Sequence, residues 1–227
     1  MVTLYARFHN RQNKNTKDIL RGLTAEDFAH GVDLHMHSCF SDGKLTPEEL
    51  WEDARKKEYK LIAIADHNTV EGYKKTNILN STFPEVLPAV EFDCWYRFVL
   101  VHLLGYGVDI YNEELLSICA KTKKETEADV VRLLNHRHPK DVIKAIHAAG
   151  GVAVLAHPAC YWAINLDHFV KSLIDLGLDG IEVYYPYRRH RGIIKFHTAA
   201  AVKKIGEKYN LIMTGGSDSH GHIEGIV

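Results

Sequence analysis

Asp33-Leu34-His35-Met36-His37-Ser38-Cys39-Phe40-Ser41-Asp42-Gly43 decides how this chain reads. Val32–His37 has the apolar character of a strand. Residues two apart in a strand point to the same face, so His35 and His37 project together. Ser41-Asp42-Gly43 then turns the chain and offers a carboxylate. Two imidazoles and a carboxylate leave the C-terminal end of a strand, where α/β barrels build their active sites.

The same arrangement recurs along the chain. Further strands are expected at Leu61–Asp66, Val86–Phe92, Phe98–Tyr106, Val152–Ala156, Gly180–Tyr185 and Leu211–Gly215. Helices lie between them. One opens at Thr46-Pro47-Glu48-Glu49, with a Thr cap, Pro at the first position and Glu at the third. Another, Lys140–Ala149, stops at Gly150-Gly151; Asp167–Leu176 and Phe196–Tyr209 are two more. Strand and helix alternating this often implies an α/β fold with mainly parallel pairing, either an α/β barrel or a doubly wound sheet. The exception is Val86–Tyr106, where the link Asp93–Arg97 is too short for a helical crossover and predicts a local hairpin. Residues 1–30 are polar with little pattern and read as an appendage. Residues 111–138 are charged and read as helical.

Each later strand carries chemistry-bearing residues. Ala65-Asp66-His67-Asn68 supplies a third imidazole, with Asp66 placed to orient a ligand ring. Glu91 sits inside the apolar run Pro88–Phe92, where a carboxylate is costly unless paired or bound to metal. His102 lies in the equally apolar Val101–Tyr106, where a satisfied core histidine is the plain alternative. His157 ends Val152–Ala156 just before Pro158, and Gly215-Gly216-Ser217-Asp218-Ser219-His220 presents Asp218 and His220 after a glycine turn. Imidazole and carboxylate without thiolate suit zinc, manganese or iron. Nine such groups exceed the needs of one ion, so two to three divalent ions are expected.

Composition narrows the classes. The chain has 227 residues, 28 Lys+Arg against 29 Asp+Glu, and 15 histidines. A net charge of -1 argues against broad electrostatic binding of nucleic acid or anionic membrane. No apolar run approaches the roughly 20 residues of a membrane span. The start lacks a signal-peptide core. Four dispersed cysteines read as reduced thiols, so a cytoplasmic protein is expected. No obligate protein partner is evident from the sequence. No serine-nucleophile elbow, P-loop or dinucleotide-binding glycine motif is present.

These segments resemble the PHP (polymerase and histidinol phosphatase) family of metal-dependent phosphoesterases. The likeness runs from about Gly31 to His222 through DLHMHSCFSDG, IADHNT, PAVEFD, HLLGYG, VLAHP, GIEVYYP and GGSDSHG. It implies a distorted (β/α)7 barrel over residues 31–227, with a metal cluster at its C-terminal mouth and a short helical lid at about 108–139. It also groups the ligands. One ion would be held by His35, His37, Glu91 and Asp218. A second would share Glu91 and add His102 and His157. A third would take Asp42, His67 and His220, where some relatives have histidine in place of Asp42. Every ligand position is filled.

The implied activity is hydrolysis of a phosphate ester by a hydroxide held at the ions of Glu91, Asp218, His35 and His37. The expected substrate is a nucleotide or the end of a short oligonucleotide. A histidinol-phosphate-type phosphatase and a non-catalytic regulatory PHP module are the alternatives. Arg188, Arg189 and His190, at another strand's end, are candidate substrate contacts; a solvated basic loop is the bland alternative. Arg132, Arg137 and His138 in the lid are weaker candidates, read as the polar face of a helix. Amide hydrolysis would call for a carbamylated lysine, and no Lys sits at a suitable strand end.

Overall fold

The computed structural model describes residues 15–134, 136–187 and 197–225. The substrate candidates Arg188, Arg189 and His190 lie outside these described residues. Eight strands are formed among them. They are β1 (Val32–Met36), β2 (Leu61–Ile64), β3 (Glu85–Val86), β4 (Ala89–Tyr96), β5 (Val99–Tyr106), β6 (Val152–Leu155), β7 (Gly180–Tyr184) and β8 (Ile212–Gly215). They make a mixed α/β fold with one sheet in the order β1-β2-β3 and a second in the order β4-β5-β6-β7-β8.

Pairing is parallel within the first sheet and among β6, β7 and β8. The predicted hairpin is β4–β5, but its turn is shorter than expected. Ladder pairing continues to Tyr96 and Val99, leaving only Arg97 and Phe98 between the strands. Both have positive φ, 50° and 64°, as a two-residue hairpin turn requires. Trp95 and Tyr96 favour a pleated surface and lengthen the strand. Because the hairpin reverses β5, it also runs antiparallel to β6, which the expectation of parallel pairing missed.

The helices follow local rules. α1 (Thr16–Arg21) and α2 (Ala25–Ala29) precede β1. α3 (Pro47–Lys56) starts with the predicted capping box: Thr46 Oγ1 accepts from the Glu49 amide at 3.2 Å, and Glu49 Oε2 accepts from the Thr46 amide at 2.8 Å. α4 (Glu71–Lys74) follows β2. The lid carries α5 (Glu113–Ile118), α6 (Lys124–Glu127) and α7 (Asp129–Leu133). α8 (Pro139–Ala148), α9 (Leu166–Ile174) and α10 (Ala199–Lys208) bury apolar side chains in a cluster shared with the strands.

Two apolar clusters result. The larger lies between strands and covering helices and includes Leu50, Ile146, Val170, Leu173 and Val202. The smaller is built almost wholly from strands of both sheets, including Val32, Leu34, Leu61, Ala89, Leu104, Val154 and Ile212. Leu20 of α1 and Phe28 of α2 are buried in it. The described part of the expected appendage is therefore packed onto the core. The two buried residues stand eight apart in a largely polar stretch, too weak a periodicity to reveal this. Among the described residues no helix is long and apolar enough to cross a membrane.

Candidate metal centre

The two sheets meet at two seams, and site residues make both. The His37 amide donates to the Ser219 carbonyl at 2.9 Å and the Asp218 amide to the His35 carbonyl at 2.7 Å, joining β8 to β1. The Asn68 amide donates to the Glu91 carbonyl at 2.7 Å and the Glu91 amide to the Asp66 carbonyl at 3.2 Å, joining β2 to β4. Gly216 permits the first seam, since a Cβ there would overlap the His35 backbone. Asn68, His157 and Asp218 have φ of 58°, 25° and 54°. Asn and Asp tolerate this left-handed region, whereas His157 is held there by its surroundings. Its amide donates to Glu182 Oε2 at 2.8 Å.

All nine predicted residues converge. Glu91, 1% exposed, is the hub. Its Oε2 lies 3.3 Å from His35 Nε2, 3.3 Å from His37 Nε2 and 3.2 Å from His67 Nδ1. Its Oε1 lies 3.0 Å from His102 Nδ1 and 3.3 Å from His157 Nε2. Asp218 Oδ1 is 3.1 Å from His37 Nε2, and Asp42 Oδ1 is 3.3 Å from His220 Nε2. Four sets of donor atoms lie close enough to share an ion: His37, Asp42, His67 and His220; His35, Glu91 and His157; His35, His37 and Asp218; and His67, Asp93 and His102. The last set pairs His102 with Asp93, not with His157. His102 also enters from the reversed strand, so it comes from the N-terminal half of β5 and not from a C-terminal strand end.

Two neighbours escaped the sequence, and a third, Arg132, was only a weaker candidate in it. Asp93 lies on the same face of β4 as Glu91 and opposite His102, with Oδ1 3.2 Å from His102 Nε2. Two carboxylates at i and i+2 in an apolar strand were the available signal. Glu182, fully buried, accepts from His35 Nδ1 at 3.0 Å. That hydrogen bond sends the His35 Nε2 lone pair inward, as a ligand needs. Its position in Gly180-Ile181-Glu182-Val183 carries the same signal as Glu91. Arg132, set aside as a helix's polar face, is 7% exposed and reaches Asp42, Asp93 and His67.

Other candidates fall elsewhere. Asp66 does not orient a histidine ring; it accepts from the Ser38 amide (2.7 Å) and the Ser38 and Ser41 hydroxyls (2.6 and 2.7 Å), fixing the turn that carries Asp42. Arg137 donates to the Ile118 carbonyl at 2.8 Å, and His138 caps α8. Tyr185 Oη donates to Asp218 Oδ2 at 2.7 Å.

The electrostatics favour a cation. Burial opposes charge on His37, yet Asp218 and Glu91 outweigh it and push its pKa up to about 10. Burial would also raise Glu91 and Asp218, but the facing histidines hold both well below the usual carboxylate range. Burial holds His67 well below the ordinary imidazole value, so it stays neutral. Among the described residues, buried His35 Nε2, both ring nitrogens of His37 and Asp42 Oδ1 have no hydrogen-bond partner. Converging, orphaned imidazole and carboxylate atoms fit divalent ions, which such donors bind. A cavity of about 380 Å³ opens over them, lined also by Arg132, Cys160 and Tyr185.

Known proteins share this frame. The PHP domain family matches residues 33–214. A phosphoribosyl 1,2-cyclic phosphate 1,2-diphosphodiesterase from Eggerthella lenta is 25% identical, over 83% of this chain and 94% of that protein. A 3',5'-nucleoside bisphosphate phosphatase from Chromobacterium violaceum is 29% identical over 64% of this chain, which spans only 50% of it. A Bifidobacterium adolescentis protein assigned as a metal-dependent phosphoesterase superposes with a TM-score of 0.68 at 26% identity, over 86% of this chain and 89% of that one. With the matched segment carrying seven of the nine converging residues, the chain belongs to the PHP domain family and is a metal-dependent phosphoesterase.

Proposed function

We propose that this enzyme hydrolyses a small phosphate ester of the nucleotide class, with His35, His37, Asp42, His67, Glu91, His102, His157, Asp218 and His220 as metal ligands. The observation that carries the proposal is the set of orphaned donor atoms around Glu91, beneath a cavity that also presents a guanidinium. Ions of the manganese, zinc or iron type would lower the pKa of a bound water and neutralise charge on the phosphate. The chain's own groups prepare that chemistry. Glu182 fixes the His35 ring. The Asp218 carbonyl, 3.0 Å from His220 Nδ1, leaves His220 Nε2 facing Asp42. Tyr185 holds one oxygen of Asp218, leaving the other toward His35 and His37.

The substrate class rests on the relatives and on the short lid. By their names, one relative acts on a phosphoribosyl cyclic phosphate and the other on a nucleoside bisphosphate. The lid docks on the site through Ala120, whose amide donates to the Asn68 carbonyl at 2.8 Å, leaving a cavity suited to a small molecule. A distorted (β/α)7 barrel is the architecture that best accounts for the two seams and for an apolar cluster drawn from both sheets. A cytoplasmic setting suits the four free cysteines.

A hydrolysis screen tests the proposal: nucleoside monophosphates, 3',5'-bisphosphates, short RNA and histidinol phosphate, each with manganese or zinc. Fastest release of phosphate from a nucleotide is expected. Preference for histidinol phosphate would overturn the substrate class, and no turnover of any ester would overturn the catalytic assignment.

A further inference from the structure

We infer that the guanidinium of Arg132 stands where a third ion would lie, so that this site works with two ions and one fixed organic cation. The inference rests on the metal centre proposed above and narrows it: His35, His37, Glu91, Asp218, His102 and His157 keep the two ions, and Asp42, His67 and His220 hold none while Arg132 is in place. Arg132 belongs to α7 in the lid, far in sequence from Asp42, His67 and Asp93. Its Nη1 donates to Asp42 Oδ2 at 2.8 Å. Its Nε donates to Asp93 Oδ2 and its Nη2 to Asp93 Oδ1, each at 3.1 Å. Nη2 also lies 2.9 Å from Nδ1 and 2.8 Å from Nε2 of His67.

Asp42 and His67 are two of the three residues that a third ion would need, together with His220. An ion about 2.1 Å from a His67 nitrogen would crowd Nη2, setting two cations against each other in a buried site. Asp93 explains why the guanidinium stays. It forms a two-pronged pair with Arg132, the geometry that arginine alone supplies. Burial opposes charge on Asp93, but His102, His67 and Arg132 hold its pKa down. Asp93 has no place in the ligand set that the family resemblance implies, and the pairing gives it one. Arginine keeps its proton at any working pH, so this positive charge does not depend on the supply of free metal.

Equilibrium dialysis at fixed free manganese or zinc, followed by elemental analysis, tests the inference. The wild type, Arg132→Gln and the charge-balanced pair Arg132→Gln/Asp93→Asn are compared, with circular dichroism as the check on folding. The pair leaves no unpaired buried carboxylate, so it serves if the single variant does not fold. Two ions per chain are expected in the wild type and three in the folded variants. Anomalous diffraction should then place the new ion between Asp42, His67 and His220. Three ions in the wild type, or still two in the folded variants, would overturn the role given to Arg132 while leaving the metal centre intact. A wild-type count of zero would instead overturn the metal centre itself.

Discussion

Within β1, Val32 and Leu34 belong to the strand-lined apolar cluster, whereas His35 and, just beyond the strand, His37 belong to the site. The apolar cluster is closed by Leu20 and Phe28 and, the Tyr106 hydroxyl apart, consists of side chains that need no partner. The site end gathers buried histidines and carboxylates around Glu91, with three residues at positive φ. Stability and chemistry are thus separated along the same strands. The apolar cluster supplies the burial that lets the site keep strained backbone and orphaned donors.

Substitutions should separate the two regions. His37→Ala or Asp218→Ala should reduce turnover by well over the roughly 100-fold that loss of an outer partner costs. Far-ultraviolet circular dichroism should remain that of a folded protein; wild-type turnover in either variant would break the distinction. Leu61→Ala, in the apolar cluster, should do the reverse. It should destabilise the fold by about 2–5 kcal/mol in denaturant titration while turnover per folded molecule is kept. Glu182→Gln should act between the regions, weakening metal affinity by about 10–100-fold through the His35 ring. Saturating metal should recover most of the lost activity, which a folding defect would not allow.

The smallest effect is on pH. The pKa of His37 is raised in the metal-free protein, so its charged form contributes stability that is fully present below about pH 6.5. That contribution is lost as pH rises toward about 10. The melting temperature of metal-free enzyme should fall across this window, and metal affinity should rise with pH because the ligand must shed its proton. His37→Asn should flatten both trends.

The site was largely legible because its residues break local rules. His35-Met36-His37, Glu91 and His157 are polar groups at or in apolar strands, and strand periodicity alone sets His35 and His37 on one face. What stayed hidden depends on long-range pairing. Arg132 is an ordinary helical arginine until the lid folds it against Asp42, 90 residues away. Asp93 read as part of a hairpin link because the strand was expected to stop at Phe92. Leu20 and Phe28 gave no sign that α1 and α2 close the core. The antiparallel β5–β6 pair follows from one hairpin reversing a strand, a property of topology and not of any residue in β6.

Metal dependence is the central claim, and chelation tests it most directly. Enzyme stripped with a chelator, dialysed and assayed on a nucleoside 3',5'-bisphosphate should lose essentially all phosphate release. Adding manganese, zinc or iron should restore it. Undiminished turnover in protein shown by elemental analysis to hold no metal would contradict the account.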